Sequence, residues 1–266
     1  MMYPDATAPP PDYPGYTPAP NDPNIKVHYT KGDKINMLFE KYEISYLFRE
    51  KLEKLQDFKI VFILDDSGSM NTPVDDGKKT RWDELKQIVE ISIDIGSIYS
   101  TLDINFLNRA GIHNVTSFNQ TAYLFREPPN GRTPLCTALN SVIDRYTSEE
   151  KPILVVIATD GVPNNLETFK KVLINKNHSK FYVSFLACSD NDVDVGYLNE
   201  LDKKVPNVDT LDDYNSEKKE VLDAQGKNFS YTYADHVVRL LLGPICPELD
   251  TLDEKKKSKK NICCIL

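Results

Sequence analysis

From residue 58 the chain runs Phe58, Lys59, Ile60, Val61, Phe62, Ile63 and Leu64, then turns polar at Asp65, Asp66, Ser67, Gly68 and Ser69. An apolar run that does not alternate reads as a strand buried on both faces, as in a parallel sheet with helices on either side. Its polar end then falls at the strand's carboxyl edge, where open α/β sheets bind ligands. Asp-x-Ser-x-Ser places three oxygen donors, Asp65, Ser67 and Ser69, on one turn, and hard oxygens suit Mg²⁺, Mn²⁺ or Ca²⁺. Asp, Ser and Gly also build ordinary surface turns, so this turn acquires meaning only from residues further along the chain.

Two later stretches supply that meaning. Gly131, Arg132, Thr133, Pro134 and Leu135 open a predicted helix, and residues 153–159 form a second buried strand that ends at Asp160 and Gly161. In this order and at these separations the three stretches resemble the metal-ion-dependent adhesion site of von Willebrand factor A domains, over roughly residues 58–244. The resemblance implies that Asp65, Ser67, Ser69, Thr133 and Asp160 hold one divalent cation, Mg²⁺ or else Mn²⁺ or Ca²⁺. It further implies that the hydroxyls bind directly and the two carboxylates act through water, leaving the ion able to accept an Asp or Glu of a partner protein. Asp66 is an extra carboxylate beside the site, and the sequence leaves open whether it adds affinity or faces solvent.

The pattern around these stretches gives the fold class: an α/β, doubly wound, mostly parallel sheet of Rossmann-like type, flanked by disordered tails. Apolar residues at helical spacing (Ile44, Leu47, Phe48, Leu52, Leu55) predict one helix over about 35–56 that packs beside the first strand. Residues 71–80, with Asp75 and Asp76, read as a solvated loop. Residues 81–100 read as a largely buried helix, 103–107 as a short strand, and 119–126 as a brief helix. Leu135, Leu139, Val142 and Tyr146 form the inner stripe of the next helix. Further helices are expected near 166–174, 192–203, 216–224 and 233–242, with strands at 181–187 and 208–211. The organisation is then a head at 1–30, a leading helical segment at 31–57, the domain at 58–244 and a tail at 245–266.

Function classes narrow from here. The net charge is −8 even though Lys255, Lys256, Lys257, Lys259 and Lys260 sit together in the tail, so the body is strongly acidic and no nucleic-acid partner is expected. Five cysteines without metal spacing read as reduced thiols of a cytosolic protein. The amino terminus carries no signal-peptide pattern, and no apolar run approaches membrane-spanning length. The chain has no nucleophile elbow, phosphate-binding loop or paired-histidine motif, and His28, His113, His178 and His236 are scattered and read as surface or capping residues. Catalysis is therefore not expected. Metal-assisted hydrolysis on the same ion, or a structural adaptor that works through its tails, are the alternatives.

The two ends carry signals of their own. Residues 1–30 hold eight of the 17 prolines and almost no aliphatic residues, so disorder with polyproline II character is expected. Within them Pro10, Pro11, Asp12 and Tyr13 match the Pro-Pro-x-Tyr pattern bound by WW domains, though a plain spacer has the same composition. Cys263, Cys264, Ile265 and Leu266 form a prenylation box whose terminal leucine favours a geranylgeranyl group on Cys263. Together with the lysine run this resembles the tails of prenylated small GTPases of the Ras superfamily, because a lipid chain needs a second signal for stable anchoring. The expected location is the cytoplasmic face of a membrane, or the cytoplasm if Cys263 is unmodified. A lysine tail also serves nuclear import or is merely solvated.

Overall fold

The computed structural model describes residues 29–74, 77–189 and 191–253. Asp75, Asp76, the WW-type motif at Pro10, Pro11 and Tyr13, the lysine run at Lys255, Lys256, Lys257, Lys259 and Lys260, and Cys263 lie outside the described residues.

The chain builds a mixed α/β domain on a six-stranded sheet. In chain order its elements are α1 (Lys31–Tyr42), α2 (Arg49–Leu52), β1 (Lys59–Leu64), a two-residue ribbon β2 (Pro73–Val74) and β3 (Lys79–Thr80), α3 (Arg81–Gly96), β4 (Leu102–Phe106), β5 (Ile112–Val115), α4 (Leu135–Tyr146), β6 (Ile153–Thr159), α5 (Leu166–Asn175), β7 (Phe181–Ala187), α6 (Asp192–Lys204), β8 (Val208–Leu211), α7 (Tyr214–Gln225) and α8 (Tyr233–Leu242). The strand order is β5-β4-β1-β6-β7-β8, parallel throughout except for β5, which runs antiparallel at the edge.

Strand β1 explains its own composition. Successive side chains point to opposite faces, and both faces are covered. Ile60, Phe62 and Leu64 join one core with Ile88 and Ile95 of α3 and Val237 and Leu241 of α8. Val61 and Ile63 join the other, with Leu139 and Val142 of α4, Phe169 of α5 and Leu198 of α6. A residue buried in this way contributes roughly 1.5–3 kcal/mol of transfer free energy, so a polar residue anywhere in 60–64 would be costly.

The topology also decides where a ligand can sit. From β1 the chain moves outward to β4 and β5, then crosses back to β6 on the other side of β1 and proceeds to β7 and β8. The strand order therefore reverses between β1 and β6, and the loops after these two strands diverge to leave a crevice at their carboxyl ends. Asp65 follows β1 and Asp160 follows β6, so both carboxylates flank that crevice.

The leading segment corrects the single helix expected over 35–56. Helix α1 starts at a Thr30–Asp33 capping box and stops at Glu43, whose φ of 54° is left-handed. Short 3₁₀ turns at Tyr46–Phe48 and Glu53–Asp57 then flank α2. The reversal points Ile44, Phe48, Leu52 and Leu55 into the same core as α3 and α8, whereas Leu47, expected on the buried stripe, is exposed. The Ser45 N–H donates to Asp235 Oδ1 at 2.7 Å, tying this segment to the capped start of α8. Residues 119–126 form two 3₁₀ turns, Phe118–Gln120 and Ala122–Phe125, and not one helix. Residues 73–74 and 79–80, expected in a loop, pair as the β2–β3 ribbon, and β5 was not expected at all. Beyond α8, 3₁₀ turns at Gly243–Ile245 and Pro247–Leu252 bury Cys246 and Leu249 in the core. Among the described residues no helix is long and apolar enough to cross a membrane.

Candidate functional site

The Asp-x-Ser-x-Ser turn emerges from β1 with its carboxylate folded back over its own backbone. Asp65 is fully buried; its Oδ1 accepts the Ser67 N–H at 2.9 Å and its Oδ2 accepts the Thr159 hydroxyl at 2.7 Å. Thr159 is the last residue of β6, one step past the Leu64–Ala158 pair of the sheet register, so the pairing of β1 with β6 delivers it. Burial pushes the Asp65 carboxyl above its ordinary pKa and the nearby Asp160 charge pushes the same way, while the bonds from Ser67 and Thr159 oppose them.

From Asp65 a chain of oxygens crosses the crevice. The Ser67 and Ser69 hydroxyl oxygens are 3.1 Å apart, and Ser69 Oγ donates to Asp160 Oδ1 at 2.8 Å. The other Asp160 oxygen, Oδ2, is engaged by Arg81 Nη1 at 2.8 Å. Arg81 opens α3, and its second amino group, Nη2, donates to Ser189 Oγ at 3.0 Å.

The loop bearing Thr133 is stitched to this turn through its backbone. Gly68 N–H donates to Gly131 O at 3.3 Å, Asn130 N–H to Asp66 O at 2.8 Å, and Asn71 Nδ2 to Pro129 O at 2.8 Å. Thr133 is half-buried; its carbonyl accepts from Leu135 N–H at 2.9 Å and from Asn164 N–H, in the loop after β6, at 3.2 Å. Its side-chain oxygen enters none of these bonds. Four of the five predicted site residues, Asp65, Ser67, Ser69 and Asp160, therefore share one hydrogen-bonded cluster, and Thr133 stands on the loop fastened across it. The donor set is oxygen only, two carboxylates and three hydroxyls, which is the chemistry a hard divalent cation requires.

Asp66 does not face solvent. It is buried, its carboxylate accepting Asn108 N–H at 2.8 Å and Arg109 Nε at 2.7 Å. Arg109 in turn donates to the carbonyls of Leu124, Glu127 and Pro128 and lies over the Trp82 ring at 5.0 Å. Asp66 thus shapes the loop that leads to Thr133.

Other groups escaped sequence reasoning. Arg81, Arg109, Thr159 and Ser189 are far from their partners along the chain, and no local pattern marks them. His236, expected at the surface or a cap, is fully buried in α8 beside Tyr231, and its Nε2 has no hydrogen-bond partner among the described residues. Burial, reinforced by the Arg239 charge, pulls it down to about 3, so it is neutral. Two cavities of about 310 and 420 Å³ share Arg81, Glu84, Cys188 and Asp213 in their linings. A separate acidic group, Glu217, Glu220 and Asp253, brings carboxylate oxygens within 4.8 Å of one another, compatible in chemistry with a cation. Arg239 already bonds both Glu217 and Asp253 there.

The fold and cluster thus define a class: a doubly wound α/β domain with an oxygen-lined group at its switch point. The sequence matches no protein-family model and no curated protein. Among solved structures, manganese-loaded TRAP protein of Plasmodium vivax is similar at 18% identity, covering 60% of this chain and 70% of that one, with a TM-score of 0.43. Two structures of proximal thread matrix protein 1 from the mussel byssus are similar at 14% and 15% identity, with TM-scores of 0.45 and 0.43. The matches cover 71% and 69% of this chain but only 48% and 45% of the mussel chains.

Proposed function

We propose that this chain is a von Willebrand factor A-type interaction module that binds an acidic residue of a partner protein through a divalent cation. The observation that carries the reading is the hydrogen-bonded cluster Asp65, Ser67, Ser69 and Asp160 at the β1/β6 switch point. Ser67, Ser69 and Thr133 would hold Mg²⁺, or Mn²⁺ or Ca²⁺, with Asp65 and Asp160 orienting them. The ion would supply an electrophilic position that a carboxylate from another molecule completes. Around the cluster the chain contributes hydroxyls, backbone amides and one guanidinium, and burial holds the neighbouring Cys188 thiol well above its ordinary pKa. In this reading the site binds and does not catalyse.

The tails extend the same proposal. A geranylgeranyl group on Cys263 with Lys255, Lys256, Lys257, Lys259 and Lys260 would tether the domain to the cytoplasmic face of a membrane, and Pro10, Pro11 and Tyr13 would recruit a WW-domain protein. A Cys263→Ser chain that still fractionates with membranes removes the tether; unchanged WW-domain capture by Tyr13→Ala removes the second partner.

The central test is calorimetric titration of Mg²⁺ and Mn²⁺ into the full chain and into the Asp65→Ala, Ser67→Ala double variant. Saturable binding by the first and none by the second supports the reading. Equal heats from both chains would end it.

A further inference from the structure

Resting on the cation reading, we propose that Arg81 is a built-in counter-cation that sets how tightly the cluster takes a divalent ion. The residue is fixed at its backbone and at its guanidinium. The Arg81 N–H bonds Thr72 O at 3.0 Å, and the Thr80–Asp83 capping box anchors the start of α3. Nη1 engages Asp160 Oδ2 at 2.8 Å and Nη2 engages Ser189 Oγ at 3.0 Å. The Asp160 side chain is 0% exposed and the Arg81 side chain 15%, so little water screens the pair.

Two opposite consequences arise from one charge. Without an ion, Asp65 and Asp160 are buried carboxylates in one hydrogen-bonded group, a costly arrangement unless compensated. Arg81 compensates Asp160 directly and leaves the group with one net negative charge. With an ion, the same fixed positive charge repels the incoming cation and competes for the Asp160 oxygen, so affinity is lowered. Arg81 thereby trades cation affinity for a fold that holds in the ion's absence.

The test uses the full chain with Mn²⁺ as probe, read by calorimetry and by thermal unfolding with and without the ion. Arg81→Gln is expected to bind Mn²⁺ about tenfold tighter than the wild type, to melt lower without ion, and to gain more from it. Arg81→Lys, which keeps the charge, should stay near wild-type affinity. Ser189→Ala removes only one anchor of the guanidinium; it should tighten binding severalfold and serves as the deciding variant should Arg81→Gln not fold. Wild-type affinity in Arg81→Gln, or in Ser189→Ala where the former does not fold, overturns the role of Arg81. The cation reading survives that result provided that Asp65→Ala, Ser67→Ala abolishes binding. Failure of every chain to bind Mn²⁺ overturns both. Equal tightening by Gln and Lys at position 81 would also defeat the proposal, since charge would then not be the cause.

Discussion

Arg109 Nε lies 2.7 Å from Asp66 Oδ2, and through this pair, in which Asp66 is buried and Arg109 half-buried, the turn after β1 is locked to the loop that carries Thr133. The pair is supported on both sides: Asn108 fills the other Asp66 oxygen, and three carbonyls accept from Arg109 Nη1 and Nη2. Breaking such a pair from one side leaves a buried charge uncompensated, which costs about 3–5 kcal/mol. Arg109→Ala should lose that much in urea unfolding, and Asp66→Asn, Arg109→Met should recover part of it. A loss under about 1 kcal/mol for the single variant would place the pair among weak surface contacts.

Gly131 shows how close these two loops come. Its φ of 125° disfavours any side chain, and a Cβ there would lie 2.4 Å from Asn108 Cγ. Asn108 has little freedom to move, because it bonds Asp66 and both the N–H and the carbonyl of Arg132. Gly131→Ala is expected to cost about 2 kcal/mol or more and to weaken Mn²⁺ binding together with stability. Unchanged unfolding midpoints would refute the close fit.

Asp65 should show the opposite balance between stability and binding. Its pKa is raised in the folded state, so the stability linked to its protonation is present at low pH and is lost as pH rises through the folded pKa. Once ionised, the buried group is a net cost without a cation. Asp65→Asn keeps an acceptor for the Ser67 N–H, so the ion-free protein should be no less stable than wild type, by about 0–1 kcal/mol. The Mn²⁺-induced rise in melting temperature should disappear. A destabilised ion-free variant would show that the carboxylate is structural first.

His236 supplies a pH dependence remote from the cluster. Its folded pKa of about 3 lies below the unfolded value, so its contribution is complete above about pH 6.5 and declines as pH falls toward 3. The groups around it are Tyr214, Tyr231, Tyr233 and Arg239, and Arg239 reinforces the shift. Between pH 7 and pH 5 the wild type should lose about 2 kcal/mol more than His236→Gln, measured as the difference in slope of unfolding free energy. Parallel slopes would mean that the imidazole is protonated inside the fold or that the site is open to water.

Much of the fold was legible because its strands are short, apolar and bounded. The runs at 59–64, 153–159 and 181–187 are buried on both faces, and that double burial is why they read without alternation. The helices around them announced themselves by the spacing of their apolar residues. What failed was structure held by partners. In β5 the side chains of His113 and Asn114 are exposed, so the strand carries no apolar signature and exists because β4 offers it an edge. The leading helix breaks at Glu43, a residue with no breaker character, because turning there points Ile44 and Phe48 into the core.

The sequence by itself determined that this is a doubly wound α/β chain and that Asp65, Ser67 and Ser69 stand at a strand's carboxyl end, since alternation, burial and turn chemistry are local. Only the tertiary structure decided which charges meet. Asp160 pairs with Arg81, Asp66 with Arg109, and Thr159 with Asp65, each across a wide separation in the chain. Such pairs depend on strand register and helix placement, which come from the summed packing of two cores, and no short stretch of residues encodes that sum.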